Sequence, residues 1–224
     1  CTDCVTDFIS PPATPYDPSI HWNLSERSRV VCIEYQLVAA NRAQICHQRR
    51  HYSIDYILVD PFINPPDPKL LIEKPFLMPK SWVAMGRLGF NEREEINPVV
   101  ASERNKFITF GTANNPYKYS PKVLETWAKI VASVPQSKFM FVRPESGAKG
   151  FRDSMADAFG SEGVARDRLI FVSVRGQHMR WDNEMDISLD TFPQTGGTTT
   201  CESLFMGVPV VSLVGQAFFE RLSY

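Results

Sequence analysis

Ile187-Ser188-Leu189-Asp190-Thr191-Phe192-Pro193-Gln194-Thr195-Gly196-Gly197-Thr198-Thr199-Thr200-Cys201-Glu202-Ser203-Leu204-Phe205-Met206-Gly207-Val208-Pro209-Val210-Val211-Ser212-Leu213 is the stretch that decides the fold class. Ile187 to Leu189 is a short apolar run of strand type. Val210 to Leu213 is a second. Between them a helix is expected from about Thr199 to Met206, ended by Gly207, with Pro209 unable to continue it. Two strands joined through a helix run parallel, so the segment reads as one strand–helix–strand unit.

The same alternation extends upstream. Phe107 to Phe110 reads as a strand ending at Gly111. Ser120 caps a helix whose first residue is Pro121, and Val123, Trp127, Ile130, Val131 and Val134 recur on one face of it. Lys138 to Val142 is the next strand, Phe151 to Phe159 a helix closed by Gly160, Leu169 to Val172 a strand, and Gln177 to Glu184 a short helix. Each strand is a continuous apolar run, the mark of a parallel sheet covered on both faces. The fold class is therefore α/β, a doubly wound parallel sheet.

Before residue 101 the pattern is less regular. Residues 10 to 19 are proline-rich and exclude regular structure. Arg29 to Tyr35 reads as a short strand, followed by a polar helical stretch to Arg50. Asp55 to Asp60 reads as a buried strand, residues 61 to 68 with their four prolines as an ordered loop or crossover, and Trp82 to Met85 as a short strand. The boundary is placed at residue 100, with residues 1–100 as one part and residues 101–224 as the second.

The 224 residues are 43% hydrophobic and 22% charged, with a formal net charge of −1. A near-neutral chain has no global field that draws it to nucleic acid or to an anionic membrane. The local cluster Arg42, Arg49 and Arg50 fits a solvated helix face. No window approaches the ~18 apolar residues of a membrane span. The polar, acidic start is not a secretory signal. The five cysteines, Cys1, Cys4, Cys32, Cys46 and Cys201, form no disulfide framework, which points to reduced thiols and a cytoplasmic location. Cys1 and Cys4 have the spacing of half a zinc site without a second pair, so no metal is expected. The first residue is not methionine and is expected not to be the start of the gene product.

In an open parallel sheet the ligand lies beyond the carboxyl ends of the strands. Three distinctive segments fall there: Asn114-Asn115-Pro116-Tyr117-Lys118, Arg175-Gly176-Gln177-His178, and Asp190 through Glu202. In the third, Gly196 and Gly197 remove side chains where a ligand would approach the backbone. Thr198, Thr199 and Thr200 put free amides and hydroxyls at a helix start, which suits a phosphate or diphosphate. A plain glycine turn with a threonine cap is the other reading. Glu202, one turn on, either stabilises the bare helix start or faces sugar hydroxyls. Lys118 and His178 are ambiguous as single residues, and Trp181 reads as packing.

Leu189 through Val211 closely resembles the O-linked N-acetylglucosamine transferase family, in its bacterial SPINDLY-type branch. Ile54 to Pro61, Glu73-Lys74, Leu77-Met78-Pro79 and Phe110 through Trp127 agree with it. The resemblance implies a GT-B-like enzyme, of which residues 1–100 are a partial N-terminal catalytic half with its linker. Residues 101–224 would be a truncated C-terminal Rossmann-like half that binds the nucleotide sugar. By position it implies that Lys118 contacts the donor diphosphate and stabilises the leaving group, and that Asn115 stands where relatives carry glutamine. It further implies that Arg175 and His178 lie near ribose and uracil, that Gly196, Gly197, Thr198 and Thr199 form the phosphate turn, and that Glu202 holds the ribose. The implied reaction moves a sugar, N-acetylglucosamine foremost, from a UDP-sugar to a protein Ser/Thr hydroxyl, with inversion. No metal and no cofactor take part, the UDP-sugar being a co-substrate. The implied partners are a nucleotide sugar and a protein acceptor. Two other readings stay open: a non-catalytic nucleotide-sugar-binding remnant or partner subunit, and a GDP-fucose-dependent protein O-fucosyltransferase.

Overall fold

A computed structural model describes residues 55–83 and 95–224. The expected strand Arg29–Tyr35, the polar helix to Arg50, the arginine cluster and Cys1, Cys4, Cys32 and Cys46 lie outside the described residues.

Five strands form one parallel sheet in the order β5-β4-β3-β6-β7. They are β3 (Thr109–Thr112), β4 (Lys138–Val142), β5 (Leu169–Val172), β6 (Ile187–Leu189) and β7 (Val210–Val211). Two further strands, β1 (Tyr56–Val59) and β2 (Lys74–Leu77), pair in parallel as a separate small sheet. The helices are α1 (Ala101–Asn105), α2 (Pro121–Ser133), α3 (Lys149–Gly160) and α4 (Thr198–Phe205).

β4, β5 and β6 have the limits read from the sequence. β3 is displaced two residues toward its carboxyl end. Thr109 pairs with Lys138, while Phe107 stays outside under the Lys138 ammonium, 4.5 Å from the ring centroid. Gly111 therefore lies within the strand rather than after it. A Cβ there would sit 2.5 Å from Met185 Sδ and 3.1 Å from the Met140 carbonyl oxygen, so a larger residue would have to displace Met185 and crowd β4. β2 was not anticipated, because Pro75 removes a donor; it is tolerated in a strand with one neighbour. The proline-rich residues after β1 are the crossover to it, opened by Asp60, whose Oδ1 accepts from the Phe62 and Ile63 amides at 2.8 and 2.9 Å. Trp82 and Val83 are not in a strand; Trp82 is held by the hydrogen bond its backbone N–H donates to Asp60 Oδ2 (2.9 Å) and by its edge contact with Phe218. Residues 84 and 85 lie outside the described residues.

Alternation along β4 shows the two-sided burial. Phe139 and Phe141 face a core with Val123, Trp127, Val131, Met155 and Phe159 from α2 and α3. Met140 and Val142 face the opposite core with Ala113, Val172, Met185 and Val208. Ser120 Oγ accepts from the Val123 amide (3.2 Å), and Pro121 opens α2. At the far end the Arg168 guanidinium donates to the carbonyls of Val131 (2.6 Å), Val134 (2.9 Å) and Ser137 (2.8 Å). The small sheet packs separately, Val59, Ile63 and Trp82 against Phe218 and Leu222.

The chain winds outward from β3 to β4 and β5, then returns to β6 on the other side of β3. The direction of winding therefore reverses between β3 and β6, which is where a doubly wound sheet opens its crevice.

Candidate functional site

Two loops meet at that reversal. The chain leaves β3 buried through Asn114. Asn115 then turns its side chain to its own backbone, Oδ1 accepting from the Tyr117 amide at 3.3 Å, and so caps the 3-10 turn Pro116–Lys118. That turn sends Lys118 back across the strand ends. Its Nζ donates to the Thr195 carbonyl at 2.9 Å and, more weakly, to Asn114 Oδ1 at 3.4 Å. An ammonium has three donors, so one is left for a ligand. Burial lowers the Lys118 pKa below its usual value, Arg143 adds to the effect, and Asp190 opposes it.

The second loop is organised by Asp190, itself buried. Oδ1 accepts from the amides of Thr191 (2.8 Å) and Gly196 (2.7 Å) and from Asn114 Nδ2 (3.0 Å), and Oδ2 accepts from Ser212 Oγ (2.7 Å). Asn114 thus ties β3 to β6, and its Oδ1 also accepts from Thr199 Oγ1 at 3.0 Å. The two glycines differ in purpose. A Cβ on Gly196 would lie 2.3 Å from Thr200 Oγ1 and 3.0 Å from Asp190 Oδ1, so this glycine makes room for the protein's own side chains. A Cβ on Gly197 would meet nothing nearer than Trp82 at 3.9 Å, so that side is open.

α4 starts at Thr198 without a side-chain cap. The amides of Gly197, Thr198, Thr199 and Thr200 have no acceptor among the described residues. These are the donors a helix start offers to an anion, at its positive end. The three threonine hydroxyls are not equivalent. Thr199 donates to Asn114, Thr200 pairs with Ser223 Oγ at 2.8 Å, and exposed Thr198 has no partner among the described residues.

The third segment approaches from β5. Gly176 (φ 67°) and Gln177 (φ 46°) are both left-handed and reverse the chain into the 3-10 helix His178–Glu184. His178 Nε2 stands 2.9 Å from Glu202 Oε2. That hydrogen bond raises the histidine pKa, against the effect of its burial. Behind the pair, Asp182 accepts from Ser203 Oγ at 3.1 Å, and burial pushes its pKa up to about 6. Glu202 Oε1 keeps no partner among the described residues. Arg175 is exposed and its side chain makes no hydrogen bond or ion pair among the described residues.

Sequence reasoning placed Asn114 in a strand-end segment but named Asn115 rather than Asn114 as a site residue, and it passed over Arg143. A signal for Asn114 existed: Asn115 precedes a proline that opens a helical turn, so it is the cap, and its neighbour Asn114 is the residue left to face inward. Arg143 directly follows β4 and obeys the same strand-end rule that selected the other segments. Among the described residues no group of three or more His, Cys, Asp or Glu side chains could hold a metal ion. No helix among them is long and apolar enough to cross a membrane. Cys201, the described cysteine, is unpaired, its thiol pKa raised by burial.

Residues 100–223 match the model of glycosyl transferase family 41. A rice (Oryza sativa subsp. japonica) protein described as "probable UDP-N-acetylglucosamine–peptide N-acetylglucosaminyltransferase SPINDLY" is 39% identical over 171 residues, covering 73% of this chain and 18% of that protein. The Arabidopsis thaliana protein SEC, described in the same words, is 30% identical over 181 residues, 76% of this chain and 18% of its own length. Among solved structures, a Lys-to-Met mutant of the Thermobaculum terrenum O-GlcNAc transferase superposes with a TM-score of 0.65 at 27% identity, covering 76% of this chain and 32% of that chain. The chain therefore spans less than a fifth of the length of these curated relatives.

Proposed function

Because this chain belongs to glycosyl transferase family 41, we propose that it supplies the donor-binding part of an enzyme that moves N-acetylglucosamine from UDP to a protein Ser/Thr hydroxyl. The observation that carries this reading is the set of uncommitted amides at Gly197 to Thr200, beside the Lys118 ammonium. Lys118 Nζ and the Thr199 hydroxyl both donate to Asn114 Oδ1, so the ammonium and the turn meet at one buried amide oxygen. A diphosphate between them would accept hydrogen bonds from the turn and one from Lys118. Hydrogen bonds to a charged group contribute about 1.5–3 kcal/mol each.

In this reading residues 101–224 form the nucleotide-sugar half and residues 1–100 part of the half that faces the acceptor. As the acceptor hydroxyl attacks the anomeric carbon from the face opposite UDP, its proton passes to a general base, the carbon–oxygen bond to the β-phosphate breaks and negative charge grows on the diphosphate. Lys118 and the α4 amides neutralise that charge where it develops, which leaves metal and cofactor without a required part. His178 and Glu202 lie farther along the crevice, and Glu202 Oε1 is available to a ribose hydroxyl. A solvent-exposed Arg175 fits a role at the rim, closing on the base when the donor enters.

Calorimetric titration of UDP, GDP and inorganic phosphate tests this reading. We expect UDP to bind at least tenfold more tightly than GDP. Tighter GDP binding would move the assignment to a GDP-fucose donor, and no binding of either nucleotide would remove the donor site altogether.

A further inference from the structure

The strand order has a geometric consequence for Arg143. His178 follows β5 and Glu202 follows β6, yet their side chains meet at 2.9 Å. In the sheet β4 and β3 lie between those two strands, so at ~4.8 Å per neighbour the strand ends are roughly 14 Å apart. The loops after β5 and β6 therefore arch over the carboxyl ends of β4 and β3. Arg143 is the first residue beyond β4, beneath that arch and between Lys118 on one side and His178 on the other.

Its own protein partners are weak. Nη1 donates to the Ala113 carbonyl and Nε to Glu145 Oε2, both at 3.4 Å. Glu145 is the more exposed of the two, 43% against 24% for the Arg143 side chain. A guanidinium presents five donors in a planar fork, so most of its capacity is unspent. Its charge acts on both neighbours: it lowers the pKa of Lys118 and opposes protonation of His178. Cations held this close in a half-buried cleft repel one another in the empty protein, and a dianion between them relieves that repulsion.

We propose that Arg143 is a second cationic ligand for the diphosphate of the donor, reaching it from the β4 side while Lys118 reaches it from the β3 side. This rests on the donor-site reading above. The planar fork suits two phosphate oxygens at once, where Lys118 offers a single point charge.

The test is a titration of UDP and of uridine against the whole chain and its Arg143→Gln, Glu145→Gln and Lys118→Ala variants. Arg143→Gln is expected to weaken UDP at least tenfold and to leave uridine within twofold. Glu145→Gln removes a competitor for the guanidinium on an exposed residue that the fold does not need, and is expected to tighten UDP two- to threefold. If Arg143→Gln is not folded by circular dichroism, the Glu145→Gln result decides alone, and unchanged or weaker UDP binding overturns the proposal. Parent-like UDP affinity in a folded Arg143→Gln, with a tenfold loss in Lys118→Ala, overturns the role of Arg143 and keeps the donor site. Parent-like affinity in both variants overturns the donor site and Arg143 together.

Discussion

Adjacent asparagines after β3 do different work, and the difference sets what their replacement should cost. Asn115 caps a local turn by accepting from the Tyr117 amide. Asn114 joins the two sides of the crevice, donating to Asp190 and accepting from Lys118 and Thr199. Asn114→Ala removes one of the three donors to buried Asp190 Oδ1, the weaker of the two Lys118 bonds, and the acceptor of the Thr199 hydroxyl. It should cost about 2–3 kcal/mol of stability, read from urea denaturation, and weaken UDP together with the fold. Lys118→Ala should behave otherwise. The ammonium is half-buried and shares its bonds, so the fold should be retained while UDP affinity falls at least tenfold and uridine affinity stays. Loss of uridine binding as well would mean that Lys118 supports the crevice and does not bind phosphate.

At the scale of elements, the start of α4 and the end of α2 are finished in opposite ways. The α2 carbonyls are covered by Arg168, bonded to Val131, Val134 and Ser137. Arg168→Ala exposes them and should cost about 1–2 kcal/mol, seen as a lower urea midpoint with unchanged slope. The α4 amides are left bare, a local cost that a bound anion offsets. Thr198→Val should therefore weaken UDP severalfold with little change in stability, since Thr198 is exposed and uncommitted. Thr191→Val should do the reverse, because Thr191 is fully buried and its hydroxyl donates to the Gln194 carbonyl at 2.7 Å. Equal effects on UDP from these two replacements would reduce the turn to a structural feature.

Across the whole molecule, buried charge makes stability depend on pH. The Asp182 carboxyl is 2% exposed, and its pKa is raised from 3.8 to about 6. A raised carboxyl pKa favours the protonated form in the fold, so this contribution is fully present below pH 3.8 and is lost as pH rises through 6. Asp182→Asn removes the ionisation and keeps an acceptor for Ser203. The variant should match the parent near pH 4 and be more stable at pH 7.5, by on the order of 3 kcal/mol at most. His178 is raised as well, and its contribution is present below pH 6.5 and fades as pH climbs through the higher folded value. A stability difference between Asp182→Asn and parent that stays flat from pH 4 to 7.5 would contradict this account.

Local chemistry alone determined the doubly wound α/β class, the strands Lys138–Val142, Leu169–Val172 and Ile187–Leu189, and the cap at Ser120, while the GT-B-like assignment came from the resemblance. Apolar runs, a proline at a helix start and a glycine after a helix end act within a few residues, so they can be read in order along the chain. Pairing was less legible: β2 carries a proline that denies it a strand signature, and β3 shifted to place Gly111 against Met185. The crevice residues Lys118, His178, Gly197, Thr198, Thr199 and Glu202 were named from strand ends and resemblance. Which atoms they spend on one another was decided only in three dimensions. Asn114 rather than Asn115 faces Asp190, Gly196 accommodates Thr200, and His178 meets Glu202 across two strands because the loops arch over them. Those facts depend on distances between residues far apart in the chain, and only packing sets such distances.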